Sequence, residues 1–489
     1  MPGTRKLGRP TASRMAMLRA MVTFLPVSYT HLIEDRGGGW KGRGGLMFQV
    51  LRNAWKITDL RKKILYTLFI ILIFRIGSAI TIPFIDAAAI ANAVNSSNTG
   101  FEFLTLMSGG GFSNGSIFAL SITPYINASI IIQLLTVAIP PLERMAKDGE
   151  AGRKKLGQIT RYTTVILGLM LGVAYYFMVK NKYNALSADA KSGFGLWFGA
   201  IVIVLCFTAG SALMMWLGEQ INEKGIGNGI SILLFAGIIS RIPTGAKALW
   251  TWFYDGGIKM LNTSGSAAVK NVILVPIVLV LFLGMIAFIV FMNDAERRIP
   301  VQYAKRVVGR KMYGGQNTFI PIKVNMSGVM PIILASSIVS LPSIIASFFT
   351  APTKGFWFHF LNCFKQDSWV YIILYFVLII GFAFFYVTIQ YNPLEMSNNL
   401  RKNSGAIPGY RPGKPTTDYI KRVLSKVTLI GALFLGVIAL FPALFGKFSG
   451  FYGLTLGGTS IMIVVGVALE TTQQIESQMM MRHYKGFLE

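Results

Sequence analysis

Charge is scarce in this chain, and charge of one sign scarcer still. Asp and Glu number 20 against 47 Lys and Arg, and all four together make up 14% of the 489 residues. Soluble domains carry about a quarter, so a water-facing surface over the whole chain is excluded. Cysteine is nearly absent. Cys206 lies in an apolar run and Cys363 in a short loop, which excludes a disulfide framework and any CxxC or Cys/His ligand cluster. The three histidines, His31, His359 and His483, lie far apart in loops or tails and read as surface or interfacial. There is no GxxxxGK[ST] loop, no HExxH, and no GxSxG elbow on a strand. No catalytic residue, metal ligand or cofactor is expected.

Apolar residues fill the space that charge leaves, at 53% of the chain with a mean hydropathy of +0.55. A bilayer core of roughly 30 Å needs about twenty apolar residues as helix. Ten stretches answer to that: 64–83, 116–136, 160–178, 193–217, 227–242, 271–292, 328–350, 369–390, 427–445 and 453–471. The expected class is an all-α polytopic membrane protein. Stretch 227–242 is short and opens on glycines, so tilting or cover from neighbours is expected of it. The net charge of +27 and pI of about 10.1 suit nucleic acid only in a soluble domain with interleaved aromatics, and none is present. Lys and Arg instead concentrate in alternate loops, which puts both ends of the folded part in the cytoplasm. The two longest basic loops are 293–326 and 391–426. Anionic lipid satisfies their charge; a large docking partner accounts for their length as well.

Ionisable residues deep in the spans are few. Arg75 is the clear case, read as satisfying carbonyls or lipid phosphate, and Glu470 ends the last span. Without an intramembrane relay of acids and bases, a pump or proton-coupled transporter is disfavoured. Gly225, Gly227 and Gly229 follow no strand, so helix entry after a tight turn explains them better than a phosphate cradle. Segment 101–112 is too short to span. Its Phe101, Phe103, Leu104 and Met107 suit a short apolar helix that Gly109, Gly110 and Gly111 break at once. A re-entrant segment at a pore mouth fits, since irregular backbone at membrane depth needs burial or water; a surface hairpin is the other reading.

Specific strings carry a resemblance from about Met47 onward. They are Ser108-Gly109-Gly110-Gly111-Phe112-Ser113 leading into Ile122-Thr123-Pro124-Tyr125-Ile126-Asn127-Ala128-Ser129, Trp216-Leu217-Gly218-Glu219-Gln220-Ile221 with Gly225-Ile226-Gly227-Asn228-Gly229-Ile230-Ser231, Tyr303-Ala304-Lys305-Arg306, Lys323-Val324-Asn325-Met326-Ser327-Gly328, Gly409-Tyr410-Arg411-Pro412-Gly413 and Gly457-Gly458-Thr459-Ser460. In colinear order these resemble the SecY family, the pore subunits of the bacterial protein translocase.

The resemblance implies ten transmembrane helices in two pseudo-symmetric five-helix halves, 47–245 and 246–472, around a central pore, with a cytoplasmic tail at 473–489. It implies a channel for unfolded secretory polypeptides that releases hydrophobic segments into lipid, in the bacterial plasma membrane. An apolar pore ring falls on Ile122, Ile126, Leu234, Ile333 and Ile463, with Leu234 where the family commonly has Ile. A plug falls on 101–111. The lateral gate lies between the second and third spans and the seventh and eighth, with Asn127, Gln133, Ser336 and Ser337 on its rim. Motor or ribosome docking falls on Arg411, Lys305, Arg306 and Arg310. Implied partners are the small subunits SecE and SecG, the SecA motor ATPase, the ribosome, preproteins with their signal sequences, and anionic lipids. Read from the residues alone, the five ring positions are ordinary lipid-facing or core side chains, and Asn127 and Gln133 equally suit interhelical hydrogen bonding.

Residues 1–46 stand outside that resemblance. Pro2-Gly3-Thr4-Arg5-Lys6-Leu7-Gly8-Arg9 and Met15-Ala16-Met17-Leu18-Arg19 resemble the start of a bacterial large-subunit ribosomal protein, and Pro26-Val27-Ser28-Tyr29-Thr30-His31-Leu32 looks like a translated adaptor. A chimeric gene model with a natural start at Met47 is expected, the extension being disordered; a signal peptide would need a longer apolar core. Two other functions stay in view. A secondary transporter requires an intramembrane ionisable pair, and a scaffold without a pore gives no role to segment 101–111.

Overall fold

Proline and glycine set the helix ends in this chain. A computed structural model describes residues 55, 57–90, 105, 107–182, 185–187, 194–254, 265–303, 306–308, 311–313, 317–346, 363, 368–449 and 458–485. The expected extension 1–46 and the candidates Phe101, Phe103, Leu104, Lys305 and Arg310 lie outside these residues. Helix α1 is Thr58–Ala79. After irregular chain, α2 (Thr123–Ala138) starts with Pro124 in its first turn. Pro140 and Pro141 then force a 108° bend into α3, Pro140–Lys147, because proline lacks a donor and restricts the residue before it. Helix α4 is Gly149–Phe177, closed by a π-helical turn at Met178–Lys182. Next come α5 (Phe194–Lys224), α6 (Gly229–Ile239) and α7 (Ile242–Phe253). The second half holds α8 (Gly265–Asp294), α9 (Met330–Ala346), α10 (Trp369–Gln390), α11 (Pro393–Lys402), α12 (Lys414–Ser449) and α13 (Gly458–Lys485).

Six helical stretches are long and apolar enough to cross a membrane, or seven if α2 and α3 count as one bent span. The expected first, seventh and tenth spans correspond to α1, α9 and α13, which do not reach that standard. The expected fifth span, ended at 242, continues through α7 to give one apolar stretch Gly229–Phe253. Helices also outrun the bilayer: α4 and α12 begin well before their apolar parts, and α13 runs on into the expected tail.

The architecture is mainly helical, as expected, with short strands added in the two long basic loops. Between α8 and α9 lie strands β1 (Glu296–Tyr303), β2 (Arg306–Val308), β3 (Lys311–Tyr313) and β4 (Asn317–Lys323), and β5 (Gly405–Ala406) follows α11. β2 and β3 form a hairpin; the other three form a sheet in the order β4-β1-β5. β1 meets β4 antiparallel with Glu296 opposite Lys323, and meets β5 through Gln302–Ala406 and Tyr303–Gly405. The two long basic loops, separate in sequence, therefore share one sheet. Ile299, Val301 and Ile322 bury its inner face against Leu400, Ile407, Ile420 and Leu424. Alternation of apolar and polar residues in β1 supplies that face.

The glycines before α6 act as helix entry. Gly227 has φ +84°, a left-handed conformation that side chains resist. Asn228 caps the Ile230 N–H, and Asn222 Oδ1 accepts from the Gly229 N–H at 2.7 Å. Gly229 also lets α6 cross α5 closely: a Cβ there would collide with the Gly218 carbonyl and lie 3.0 Å from Ile221 Cβ. Gly229→Ala should lower the thermal midpoint of the detergent-purified protein through overpacking of about 1–3 kcal/mol. Gly157→Ala, with nothing within 4 Å of the new methyl, should hold or raise it. Equal midpoints for the two variants would mean that this helix crossing yields freely.

Candidate functional site: an apolar junction under a glycine turn

Ile122 sits at the N-cap of α2 and Ile126 one turn inside it; Leu234 is in α6, Ile333 in α9 and Ile463 in α13. All five are buried, at 1–5% exposure, within a single apolar cluster. α2 and α6 precede residue 246 and α9 and α13 follow it, so the cluster joins helices from the two expected halves of the chain. Met107 from the segment expected as the plug joins the same cluster, as do Phe74 of α1 and Tyr386 of α10. Isoleucine and leucine make no directed bonds, so this junction can part without leaving a polar group unpaired.

Residues 107–122 are irregular and yet mostly buried, Asn114 being exposed, and many of their backbone groups are paired within the protein. Gly109 and Gly110 take φ of +62° and +91°, which turns the chain sharply. The Gly110 N–H donates to the Thr105 carbonyl at 2.9 Å, and the Ser116 N–H to the Gly111 carbonyl at 3.0 Å. Side chains meet the carbonyls: Ser121 Oγ donates to Met107 O at 3.0 Å, Tyr175 OH to Phe112 O at 2.7 Å, and Arg75 Nη1 to Gly109 O at 3.0 Å. The expected reading of Arg75 as a partner for carbonyls matches that contact. Gly111 is packed too tightly for a side chain, since a Cβ would lie 2.6 Å from Ser116 Oγ.

The expected gate residues behave differently from one another. Half-buried Gln133 of α2 accepts a hydrogen bond from Tyr386 OH of α10 at 2.8 Å, a direct tie between the two halves. Asn127 is also half-buried on α2. Ser336 turns back to its own helix, donating to Ile333 O at 2.9 Å; Ser337 follows it, half-buried. Of the docking candidates, Arg411 is exposed between Gly409 (φ +86°) and Gly413 (φ +111°). Its loop is braced by Thr416 Oγ1 donating to Arg411 O at 2.8 Å and by Tyr410 packing on Tyr419 with ring centroids 4.3 Å apart. Arg306 lies on the β2–β3 hairpin opposite Tyr313.

The SecY family model matches residues 116–472 of this chain. The protein translocase subunit SecY of Streptomyces galbus is 44% identical over 454 residues, covering 90% of this chain and 100% of that protein. The chain belongs to the SecY family. The SecY subunit of Halalkalibacterium halodurans is 41% identical over 447 residues, 91% of this chain and all of that one. Among solved structures, a SecY described as having a plug domain that stabilises the closed state and maintains a membrane seal superposes with a TM-score of 0.58 at 18% identity, over 85% of this chain and 92% of that one. Sec61 from a canine ribosome-channel complex gives 0.53 at 17%, with the same coverage. Identities this low speak to the fold alone.

Several residues of this SecY-family site escaped sequence reasoning. Tyr386 is one aromatic among many in α10, and nothing local marks it as the partner of Gln133. Arg241 falls near the end of the expected stretch 227–242 and drew no notice there, and the structure carries helix on past it through α7. Gly237, an isolated glycine in an apolar helix, carried a signal of close approach. The Gln133–Tyr386 bond generates a test. Tyr386→Phe removes one interhelical hydrogen bond, worth about 0.6 kcal/mol in membranes, and should ease parting of α2 from α10. Crosslinking of a weakly hydrophobic signal sequence to the gate should rise in Tyr386→Phe and in Gln133→Leu, without a further rise in the double variant. Additive effects would indicate that the two side chains act separately.

Proposed function

We propose that this chain is the membrane channel of a protein translocase, not an enzyme: unfolded secretory polypeptides pass through it, and hydrophobic segments leave it sideways into lipid. The observation that carries this reading is the burial of Ile122, Ile126, Leu234, Ile333 and Ile463 in one cluster drawn from four helices, with Met107 against it. An apolar constriction excludes ions by dewetting. It also deforms around an extended chain of any sequence, because it offers no hydrogen bonds to be matched. A signal sequence that parts α2 from α10 meets lipid, where each large apolar side chain gains about 1.5–3 kcal/mol on burial. Polar segments gain nothing there and continue through the pore. Work must come from a partner, since no nucleotide-binding loop is present.

Both ends facing the cytoplasm, in a bacterial plasma membrane, suits the basic loops and the bacterial relatives. The exposed Arg411 tip and the hairpin bearing Arg306 then project on the side where SecA or a ribosome would dock, and canine Sec61 is itself a ribosome-bound channel. Anionic lipid is the competing ligand for those charges. SecE and SecG belong to the same proposal, as small subunits flanking the exposed apolar helices.

Planar bilayers holding purified complex test the seal. Replacing three or more of the five junction residues with Gly or Ser should let ions pass at rest, while equal replacement of the exposed Ile273, Ile277 and Leu283 of α8 should not. A multiple variant as tight as the parent, with residues 101–111 also deleted, would reduce these side chains to ordinary packing. Docking has its own test. Arg411→Glu should cut motor-driven export strongly while leaving protein abundance unchanged. If lipid were the only ligand, losing one basic contact would cost about 1 kcal/mol and export would barely change.

A further inference from the structure

The glycine turn meets the end of α6 backbone to backbone. A Cβ on Gly237 would lie 2.6 Å from the Met107 carbonyl oxygen and 3.4 Å from Gly109 N. From the other side, a Cβ on Gly109 would lie 2.8 Å from Ser240 Oγ and 3.2 Å from Gly237 Cα. Gly237 cannot carry a side chain here because its Cβ would meet backbone, whereas a Cβ on Gly109 would meet the movable Ser240 hydroxyl and is disfavoured mainly by the left-handed φ of +62°. The Gly109 carbonyl is then gripped: Arg75 Nη1 donates to it at 3.0 Å, and Ser240 Oγ stands 3.4 Å away while also reaching Gly237 O at 2.7 Å. A charged donor makes a stronger bond than a neutral one, so Arg75 is the firmer hold.

One feature of the same contact works against closure. The Arg241 guanidinium lies beside the turn, its Cζ 3.7 Å from where a Cβ on Gly110 would be. Its Nε is buried with no hydrogen-bond partner among the described residues. A buried donor left unpaired is costly, and displacement of the turn would let water reach it. The seated state is thus held by a few definite contacts and opposed by one definite penalty, which is the physical form of a two-position element.

We propose that Gly237, Ser240 and Arg75 form the seat of the glycine turn and set how readily this channel opens. Resting on the channel reading above, the inference adds the residues that hold the turn and the Arg241 penalty that favours its release. Gly237→Ala pushes the turn off its seat, Arg75→Gln removes the charged grip, and Ser240→Ala removes the neutral one. Each leaves the five junction side chains unchanged, while displacement of the turn withdraws Met107 from their cluster.

Two measurements test this on the purified complex. In planar bilayers with potassium chloride, Gly237→Ala should raise resting conductance several-fold, Arg75→Gln should raise it less, and Ser240→Ala least. In a Cys206→Ala, Cys363→Ala background, Gly109→Cys with Ser240→Cys should oxidise to a disulfide, because the partner atom already lies within bonding reach. Export of a secretory preprotein into vesicles should stop on oxidation and resume on reduction, while each single cysteine stays active under oxidant. Failure of the pair to oxidise, export through the oxidised pair, or a Gly237→Ala variant as tight as the parent would each overturn the seat. Deleting residues 107–111 separates the two levels. A leaky deletion beside a tight Gly237→Ala removes only the seat, whereas a deletion that stays tight yet still exports removes any sealing role of the turn and leaves the channel reading on the apolar junction.

Discussion

Residues 107–122 run as irregular backbone through the interior of a helical shell built for lipid, and every peptide group they carry must find a partner inside the protein. Lipid supplies none, and an unpaired group costs several kcal/mol. The surrounding elements are disposed accordingly. Arg75 reaches in from α1, Tyr175 from α4 and Ser240 from the end of α6. Ser108, Ser113 and Ser116 serve the segment's own amides and carbonyls. The left-handed turn at Gly109 and Gly110 brings Met107 onto the apolar junction. A helix would have met the same requirement with no help, but it could not have folded back between the halves.

Around that segment the packing is uneven in a way that favours one seam. Each half has a core of its own: Ile203, Phe207 and Tyr175 anchor one, and Ile289, Ile379 and Phe434 the other. The cluster between them is apolar, and Gln133–Tyr386 is a hydrogen bond that crosses it between side chains. Apolar contacts reform equally well around other apolar partners, which is what the proposed lateral opening would require of this seam. Polar ties within a half are placed elsewhere, as in the Arg161–Glu219 pair between α4 and α5 at 2.9 Å.

The sheet β4-β1-β5 gives the basic loops a shared footing. Gly405 lies flat against β1, where a Cβ would come within 2.9 Å of the Tyr303 ring, and the chain from β5 leads directly to Arg411. Lys323 at the far edge reaches Gln473 of α13 at 3.3 Å. The Arg411 loop is thus joined through β5 to β1, the strand that follows α8.

By itself the sequence determined that the chain lives in a membrane, because charge scarcity and apolar run length are local quantities that no folding can alter. Its motif strings also marked the glycine turn, the family, and candidate positions from Ile122 to Ile463. Register and partnership were decided only by the tertiary structure. Nothing near Tyr386 names Gln133, 253 positions away, and nothing near Gly405 names Tyr303, because a hydrogen bond or strand pairing depends on where two distant segments meet. Span count fared likewise: the expected first and tenth spans fold as helices α1 and α13 that are not long and apolar enough by themselves to cross a membrane. Ser336 shows the converse, a polar residue expected on the rim whose hydroxyl donates to Ile333 O of its own helix.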